Sequence, residues 1–377
     1  MNKLLFIILS FFYVFVNNIF LYKYGYRDLG NNIFIVNVLY AIFLCVLLWK
    51  KDAIYSLLKR FNVKNIYFTL TAFFVVLSLI ITLVIDGNSL NLDRWSAMTV
   101  AIESIIKNEY PYTATDHLNG RTSNFPGLIL IGVPFYFMGN VGLLQVFSLA
   151  FLCYTLYVTV KLKNALYYLV LFTSSIAFWY EVASLSDFMS NMILVFCFIM
   201  LWNNKHDKFK YRNPIILAII LSILILTRGI VFVPLVVYFF ADFFKSKFKT
   251  QVVFTLAFIS TCAFLIYMTL KDCPDKATLL KFNPLILQTS FTPLWVNITM
   301  IILPIIVSFF VRKTNQFIIA TIIISLLIIN YYFFNYIFWY GFQESIHGSK
   351  IDVVYLSYIL PFLCYYFVNN KTNSLSN

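Results

Sequence analysis

The chain has 377 residues, of which 61% are hydrophobic and 11% charged, with a mean hydropathy of +0.84; soluble globular chains run at roughly 45–50% apolar and about 25% charged. So much apolar surface cannot be hidden inside a water-soluble body of this size. Soluble, nucleic-acid-binding, disordered and disulfide-scaffold classes are therefore excluded, and the formal net charge of +13 reports either an anion-binding surface or orientation in a bilayer.

A helix needs roughly 20 apolar residues to cross the hydrocarbon core. Segment 4–22 follows Lys3 and lacks a small-residue cleavage site, so it reads as a retained first span and not a removed signal peptide. Further spans are predicted over 33–49, 66–85, 141–160, 164–180, 188–202, 214–227, 229–244, 251–270, 291–311, 317–338 and 353–368, twelve in all. The run 125–139, FPGLILIGVPFYFMG, carries Pro126, Pro134 and three glycines. Such a run re-enters or lies in the interface.

Charge fixes the sides, because cytoplasmic loops carry excess Lys and Arg. Loop 50–65 holds Lys50, Lys51, Lys59, Arg60 and Lys64 and is placed inside, which puts loop 86–124 outside. Loops 161–163 and 203–213 are basic and inside, and loop 181–187, with Glu181 and Asp187, is outside. Only an odd number of crossings joins residue 124 to residue 161, so span 141–160 crosses and 125–139 does not. Basic loops 245–250 and 312–316 and the tail after 369 then also fall inside, with both termini cytoplasmic. The expected location is the plasma (inner) membrane, as one integral membrane domain over 1–377. The fold class is all-α: a polytopic helical bundle of about twelve transmembrane helices. The six cysteines have no CxxC spacing and suggest neither disulfide nor metal.

Twelve of the fifteen acidic residues fall in outer loops. Five of them, Asp86, Asp93, Glu103, Glu109 and Asp116, lie in the longest extramembrane segment, 86–124. The net charge therefore reports orientation, and the chemistry is expected on the outer face. Within this loop Trp95, Met98, Ile102, Ile105 and Ile106 share one helical face, opposite Ser96, Thr99, Glu103 and Lys107. This predicts an amphipathic helix on the membrane surface. Asp93, just before it, is either the N-cap or a carboxylate held at the lipid–water boundary as a base. Asp86 opens an Asp86-Gly87-Asn88 turn and is the rival base.

The helix ends at Asn108-Glu109-Tyr110-Pro111-Tyr112, and Asn124-Phe125-Pro126-Gly127 opens the re-entrant run. This order resembles the GT-C superfamily of multi-spanning glycosyltransferases, which use polyprenyl-phosphate-linked sugars. In many of those an early outer loop carries an aspartate, a juxtamembrane helix, a G-x-x-PY stop and a Pro-containing apolar segment. The family's glycine is Asn108 here. Ser186-Asp187 after an outer loop, Leu226-Thr227-Arg228-Gly229 at an outer turn, and His347 with Tyr355 and Pro361 are further likenesses. Relatives commonly have one span before the catalytic loop, whereas this chain has three.

The resemblance implies a GT-C-like fold with its outer catalytic loop at 86–140. It implies a hexosyl- or pentosyltransferase that moves a sugar from a polyprenyl-phosphate donor to a hydroxyl on a glycan, lipid or protein acceptor, with inversion. Asp93 would be the general base, with Asp86 in reserve. Arg228, Arg94, Arg121, His347 and Lys350 would meet the donor phosphate, and Asp187, Glu109 and Tyr112 the sugar or acceptor. No organic cofactor is implied. Some members hold a divalent ion, but this chain has no DxD or DxE pair, and no metal is expected. Two other readings compete: a surface-polysaccharide polymerase or ligase, and a non-enzymatic carrier of lipid-linked glycans. Carriers keep ionisable groups along a pathway inside the spans, whereas here they collect on one face.

Overall fold

The computed structural model describes residues 3–206, 209–289, 293–348 and 350–369, and among these the regular structure is helical, with no strand. The helices are α1 (Lys3–Leu29), α2 (Ile33–Trp49), α3 (Lys51–Leu58), α4 (Val63–Val84), α5 (Arg94–Ile106), α6 (Pro126–Phe137), α7 (Leu143–Thr159), α8 (Leu162–Thr173) and α9 (Ile176–Ala183). They continue with α10 (Phe188–His206), α11 (Pro214–Ile225), α12 (Phe232–Phe244), α13 (Phe248–Leu270), α14 (Lys276–Lys281), α15 (Pro284–Thr289), α16 (Leu294–Ser308), α17 (Thr314–Ile346) and α18 (Leu360–Asn369). The expected all-α architecture is present. Residues 291 and 292 of the predicted span 291–311, Asp207 and Lys208 of the basic loop 203–213, and the tail beyond 369 lie outside the described residues.

Four helical stretches are long and apolar enough to cross a membrane: Lys3–Trp49, α4, α13 and α17. The pair α8 and α9 would make one more, bent by 64°. Helix α10, over the predicted 188–202, has 19 residues with a polar last turn, and the other apolar helices are shorter, 10–17 residues, because polar or turn-forming residues cut the predicted runs. Ser174 and Ser175 separate α8 from α9, and the last run begins as a 3₁₀ turn over Val353–Ile359. Helix α17 is longer than its predicted 317–338, and Gly341, at φ 73°, breaks it near its end.

The 47-residue stretch at the start is two helices folded back on each other. Gly30 takes φ +52° at the turn, the Tyr22 and Phe34 rings meet at 5.6 Å, and the Tyr40 hydroxyl donates to Asn17 Oδ1 at 3.4 Å and to Ser174 O at 2.8 Å. Buried contacts then sort helix ends into two ends of one bundle. At one end Lys51 Nζ donates to the carbonyls of Phe367 and Val368 at 2.9 and 2.6 Å, and Phe6 packs edge-on against Phe367. At the other end Lys23 Nζ donates to Ile351 O at 2.8 Å. Helix α1 therefore runs from the first end to the second, and the chain from Ile351 through α18 returns.

Both ends of α6 lie at the second end. The Gly127 N–H donates to Leu226 O at 2.8 Å, next to the turn after α11. At its far end Asn140 donates to Thr82 O at 3.1 Å and accepts from Trp95 Nε1 at 2.9 Å. Twelve residues rise about 18 Å, well short of the roughly 30 Å hydrocarbon core. A side chain at Gly127 would drive into the backbone carbonyls of Ile223 and Leu226, so glycine sets this close approach.

Helix α5 lies on α6. Met98 and Ile102 are buried over Gly132, the position where a side chain would meet them, and Ile106 is exposed. The apolar face predicted to meet lipid is thus partly spent on a protein neighbour. The helix stops in a Schellman motif. The Glu109 N–H reaches Ser104 O at 2.8 Å and the Asn108 N–H reaches Ile105 O at 3.2 Å, with Asn108 at φ +57°. That is the position where Gly or Asn closes a helix, which accounts for Asn108 where the resembled family has glycine. Replacing Asn108 by Val should destabilise the protein by about 1–2 kcal/mol, since a β-branched residue is strained in the left-handed region. Asn108→Gly should leave stability near that of the parent, both read by thermal unfolding in nanodiscs.

Candidate functional site

Three consecutive residues, Ser186-Asp187-Phe188, open α10 at the second end of the bundle and gather two arginines from elsewhere in the chain. Arg94, the first residue of α5, donates to Ser186 Oγ at 2.8 Å and pairs with Asp352. Arg228, after α11, grips Asp187 with two nitrogens: Nε to Oδ2 at 3.1 Å, and Nη2 to Oδ1 and Oδ2 at 2.9 and 2.7 Å. Asp187 also accepts from Asn191 Nδ2 at 3.0 Å. Both guanidinium groups face the Phe188 ring, with Cζ at 5.7 Å for Arg94 and 5.3 Å for Arg228. Tyr355 meets the same ring edge-on at 4.9 Å. The result is a knot of charge closed over an aromatic floor, in which each arginine has its own carboxylate. Arg228 Nη1 makes no hydrogen bond among the described residues.

Glu181 supports this knot from α9. It is buried, and its Oε2 accepts the first-turn N–H of Met189 in α10 at 3.1 Å, while Oε1 finds no hydrogen-bond partner among the described residues. A carboxylate here satisfies an N–H that the helix itself leaves unpaired. The sequence reading placed Glu181 in an outer loop without a role. Its signal was a lone acid in the otherwise apolar stretch Ile176–Ala183.

Asp93 adjoins Arg94 in the chain. It occupies the position before α5 but makes no side-chain capping bond, so the capping role does not account for it. It is partly buried, and burial pushes its pKa up from the usual carboxylate value. Arg94 pulls the other way, while the charges of Asp116 and Asp352 push up again. Loop 110–124 closes over this helix start. Ser96 Oγ and His117 Nδ1 are 2.5 Å apart, His117 Nε2 lies 2.8 Å from Leu90 O, and Asp116 Oδ1 accepts the N–H groups of Leu118 and Gly120 at 2.8 and 3.0 Å. Asp86 behaves as its turn motif suggests, accepting from the Asn88 N–H at 3.0 Å.

The other expected site residues are spread more widely. Tyr112 is buried and donates to Asn124 O at 3.1 Å, a bond that shapes the loop. Glu109 is exposed. Arg121 is exposed and lies over the Phe282 ring at 3.9 Å. His347 sits between the Tyr22 and Tyr26 rings at 5.0 and 4.7 Å. Burial, then Lys23 and Arg27, hold its pKa below the usual value. Lys350 is exposed near Tyr340. The structure thus brings Arg94, Asp187 and Arg228 together with Asp93 beside Arg94 in the chain, and sets His347 and Lys350 against the α1–α2 hairpin and the end of α17.

A cavity of about 210 Å³ opens beside the knot, lined by Phe188, Arg228, Gln288, Met300, Tyr355 and Tyr358 among others. One wall comes from segment 271–289, which lies between two predicted spans. Gln288 accepts the Gly229 N–H at 3.2 Å and donates to Ser123 O at 2.7 Å, and Tyr110 donates to Phe282 O at 2.7 Å. This segment ties the first long loop to the Arg228 turn. Among the described residues no three His, Cys, Asp or Glu side chains gather as a metal ion would need.

Removing one partner of a buried ion pair leaves an uncompensated charge, at a cost of about 3–5 kcal/mol. Arg228→Ala should lower stability by that order, because the Asp187 side chain is only 3% exposed. The double substitution Arg228→Met with Asp187→Leu should recover most of the loss, as read by thermal unfolding in nanodiscs; a double loss equal to the sum of the two single losses would show that the pair is not coupled. Comparison of the chain with protein-family models, with curated proteins and with solved structures finds no match in any of the three.

Proposed function

We propose that the chain is a membrane glycosyltransferase of the GT-C kind, moving a sugar from a polyprenyl-phosphate donor to a hydroxyl acceptor. In this reading it crosses the membrane twelve times, with both termini cytoplasmic and the Asp93–Arg228 end outside, while α6 dips in without crossing. The observation that carries the reading is the Asp93 carboxylate. It caps nothing, its proton affinity is raised by burial, and it adjoins Arg94, which shares the Phe188 ring with Arg228 at the edge of an apolar cavity. A carboxylate with no capping bond, beside an arginine of this knot, suits proton removal from a hydroxyl while a lipid phosphate departs.

The acceptor oxygen attacks the anomeric carbon, and Asp93 takes its proton. The anomeric carbon–oxygen bond breaks with inversion, and its electron pair leaves on the lipid phosphate. Arg228 holds Asp187 with Nε and Nη2, so Nη1 is the nitrogen left for that phosphate. Arg94 is held by Ser186 and Asp352 and acts on Asp93 through charge and position.

The test is release of polyprenyl phosphate from a panel of lipid-linked sugars by protein in nanodiscs. Asp93→Asn should slow release by about 10²–10⁴, the usual worth of a general base, and Asp86→Asn should stay near the parent. A base must be ionised to act, so the rate falls as pH drops through its pKa. Because the Asp93 pKa is raised, that acid limb should lie above the usual carboxylate range and vanish in Asp93→Asn. Equal turnover by parent and Asp93→Asn would remove Asp93 as base, and no release from any donor would remove the transferase reading.

A further inference from the structure

At the opposite end of the bundle lies a second and larger cavity, of about 1170 Å³. Phe188 and Asn203 bracket α10, so the two sites are about 22 Å apart along that helix. Three inter-helix loops converge on this cavity. They bring Lys210 and Arg212 before α11, Lys245 and Lys247 before α13, and Arg312 and Lys313 before α17, with Asp242 as the one acidic lining residue among the described residues.

Topology accounts for basic residues in such loops but not for their convergence on one hollow. Asp242 is shared by Lys210 and Lys245, each at 2.7 Å. Arg212, Lys247, Arg312 and Lys313 have no ion pair among the described residues. Lys210 is fixed in place: its Nζ donates to Tyr238 O at 2.9 Å and stands 3.7 Å from the Tyr238 ring centroid. The Arg312-Lys313 turn is fixed as well, its two N–H groups donating to Gln316 Oε1 at 3.0 and 3.1 Å.

The local electrostatics carry the point further. Helices α11, α13 and α17 all begin at this cavity, and none has an acidic residue in its first turn. A helix N-terminus carries positive partial charge and is stabilised by anions, not cations. Here α13 and α17 start directly after a lysine, and α11 starts two residues after Arg212. Positive charge is thus stacked on positive helix ends around one concavity, an arrangement that a bound anion relieves.

We propose that this cavity is a binding site for a phosphate-bearing anion, chemically separate from the Asp93–Arg228 site. A phospholipid headgroup and a soluble phosphate compound share the chemistry that the cations recognise, and the experiment separates them. The purified full chain is examined by native mass spectrometry for retained phosphatidylglycerol and cardiolipin. In parallel, inorganic pyrophosphate is titrated by thermal shift in detergent. The variant is Arg312→Gln with Lys313→Gln, both exposed and outside any described ion pair. The control is Lys59→Gln with Arg60→Gln, an equal charge change at the same end, outside the cavity.

The variant should lose at least tenfold in affinity for whichever probe the parent binds, and the control less than threefold. Lipid retention without a pyrophosphate response assigns the headgroup, and the converse assigns a soluble phosphate. Loss by control and variant alike, or no binding of either probe by the parent, would overturn the proposal.

Discussion

The grip of Arg228 on Asp187 is the constraint on which the second end of the bundle depends. It joins the turn after α11 to the start of α10, and Asp187 sits between two residues that hold further pieces. Ser186 takes Arg94 and so fixes the start of α5, while Phe188 lies under both guanidinium groups and against Tyr355. Asp352 then completes the other side of Arg94 and sets the entry to the last helical segment. Four stretches far apart in sequence thus meet through a few charge-assisted bonds, which are shorter and stronger than neutral ones. Apolar packing sets the helices side by side but is non-directional; the knot fixes their angular register.

The glycines and short helices follow from the same demand. Helix α6 brings Gly127 against the carbonyls of α11, immediately before Arg228, and Gly132 receives Met98 and Ile102 from α5. Both contacts pull the long loop down onto the knot. Segment 271–289 presses on it from the other side through Gln288 and Phe282. The half-buried setting of Asp93, and with it the raised pKa, results from this closure and not from any bond that Asp93 itself makes.

Hydropathy and charge made much of this architecture legible. The helical class, the hairpin of the first two helices, the short helix inside 125–139 and the helix over 94–106 all have local signatures: apolar runs, Pro and Gly punctuation, and a repeating face. Asn108 is legible as well, because the left-handed helix stop admits few residues. The pairings were not. Asp187 could be placed near Arg228 only as two residues on one face, and nothing in the spacing links Arg94 to Asp352, 258 positions away. Glu181 was hidden for a different reason: its role is to cap a helix that begins in the next segment, which a local pattern cannot contain. Helix lengths were overestimated where Ser174-Ser175 and the 3₁₀ turn at Val353 interrupt apolar runs, because hydropathy does not register where backbone hydrogen bonding breaks.

The partition of charge between the two ends has a consequence for how the protein responds to its medium. In the knot at the second end Arg94 and Arg228 are locked to carboxylates inside the fold, where mobile ions hardly penetrate, and screening acts weakly on such buried pairs. At the opposite end the cations stand exposed around an open hollow, within reach of every ion in solution. Ionic strength therefore acts far more on the exposed Arg312 and Lys313 of the hollow than on the two arginine pairs of the knot.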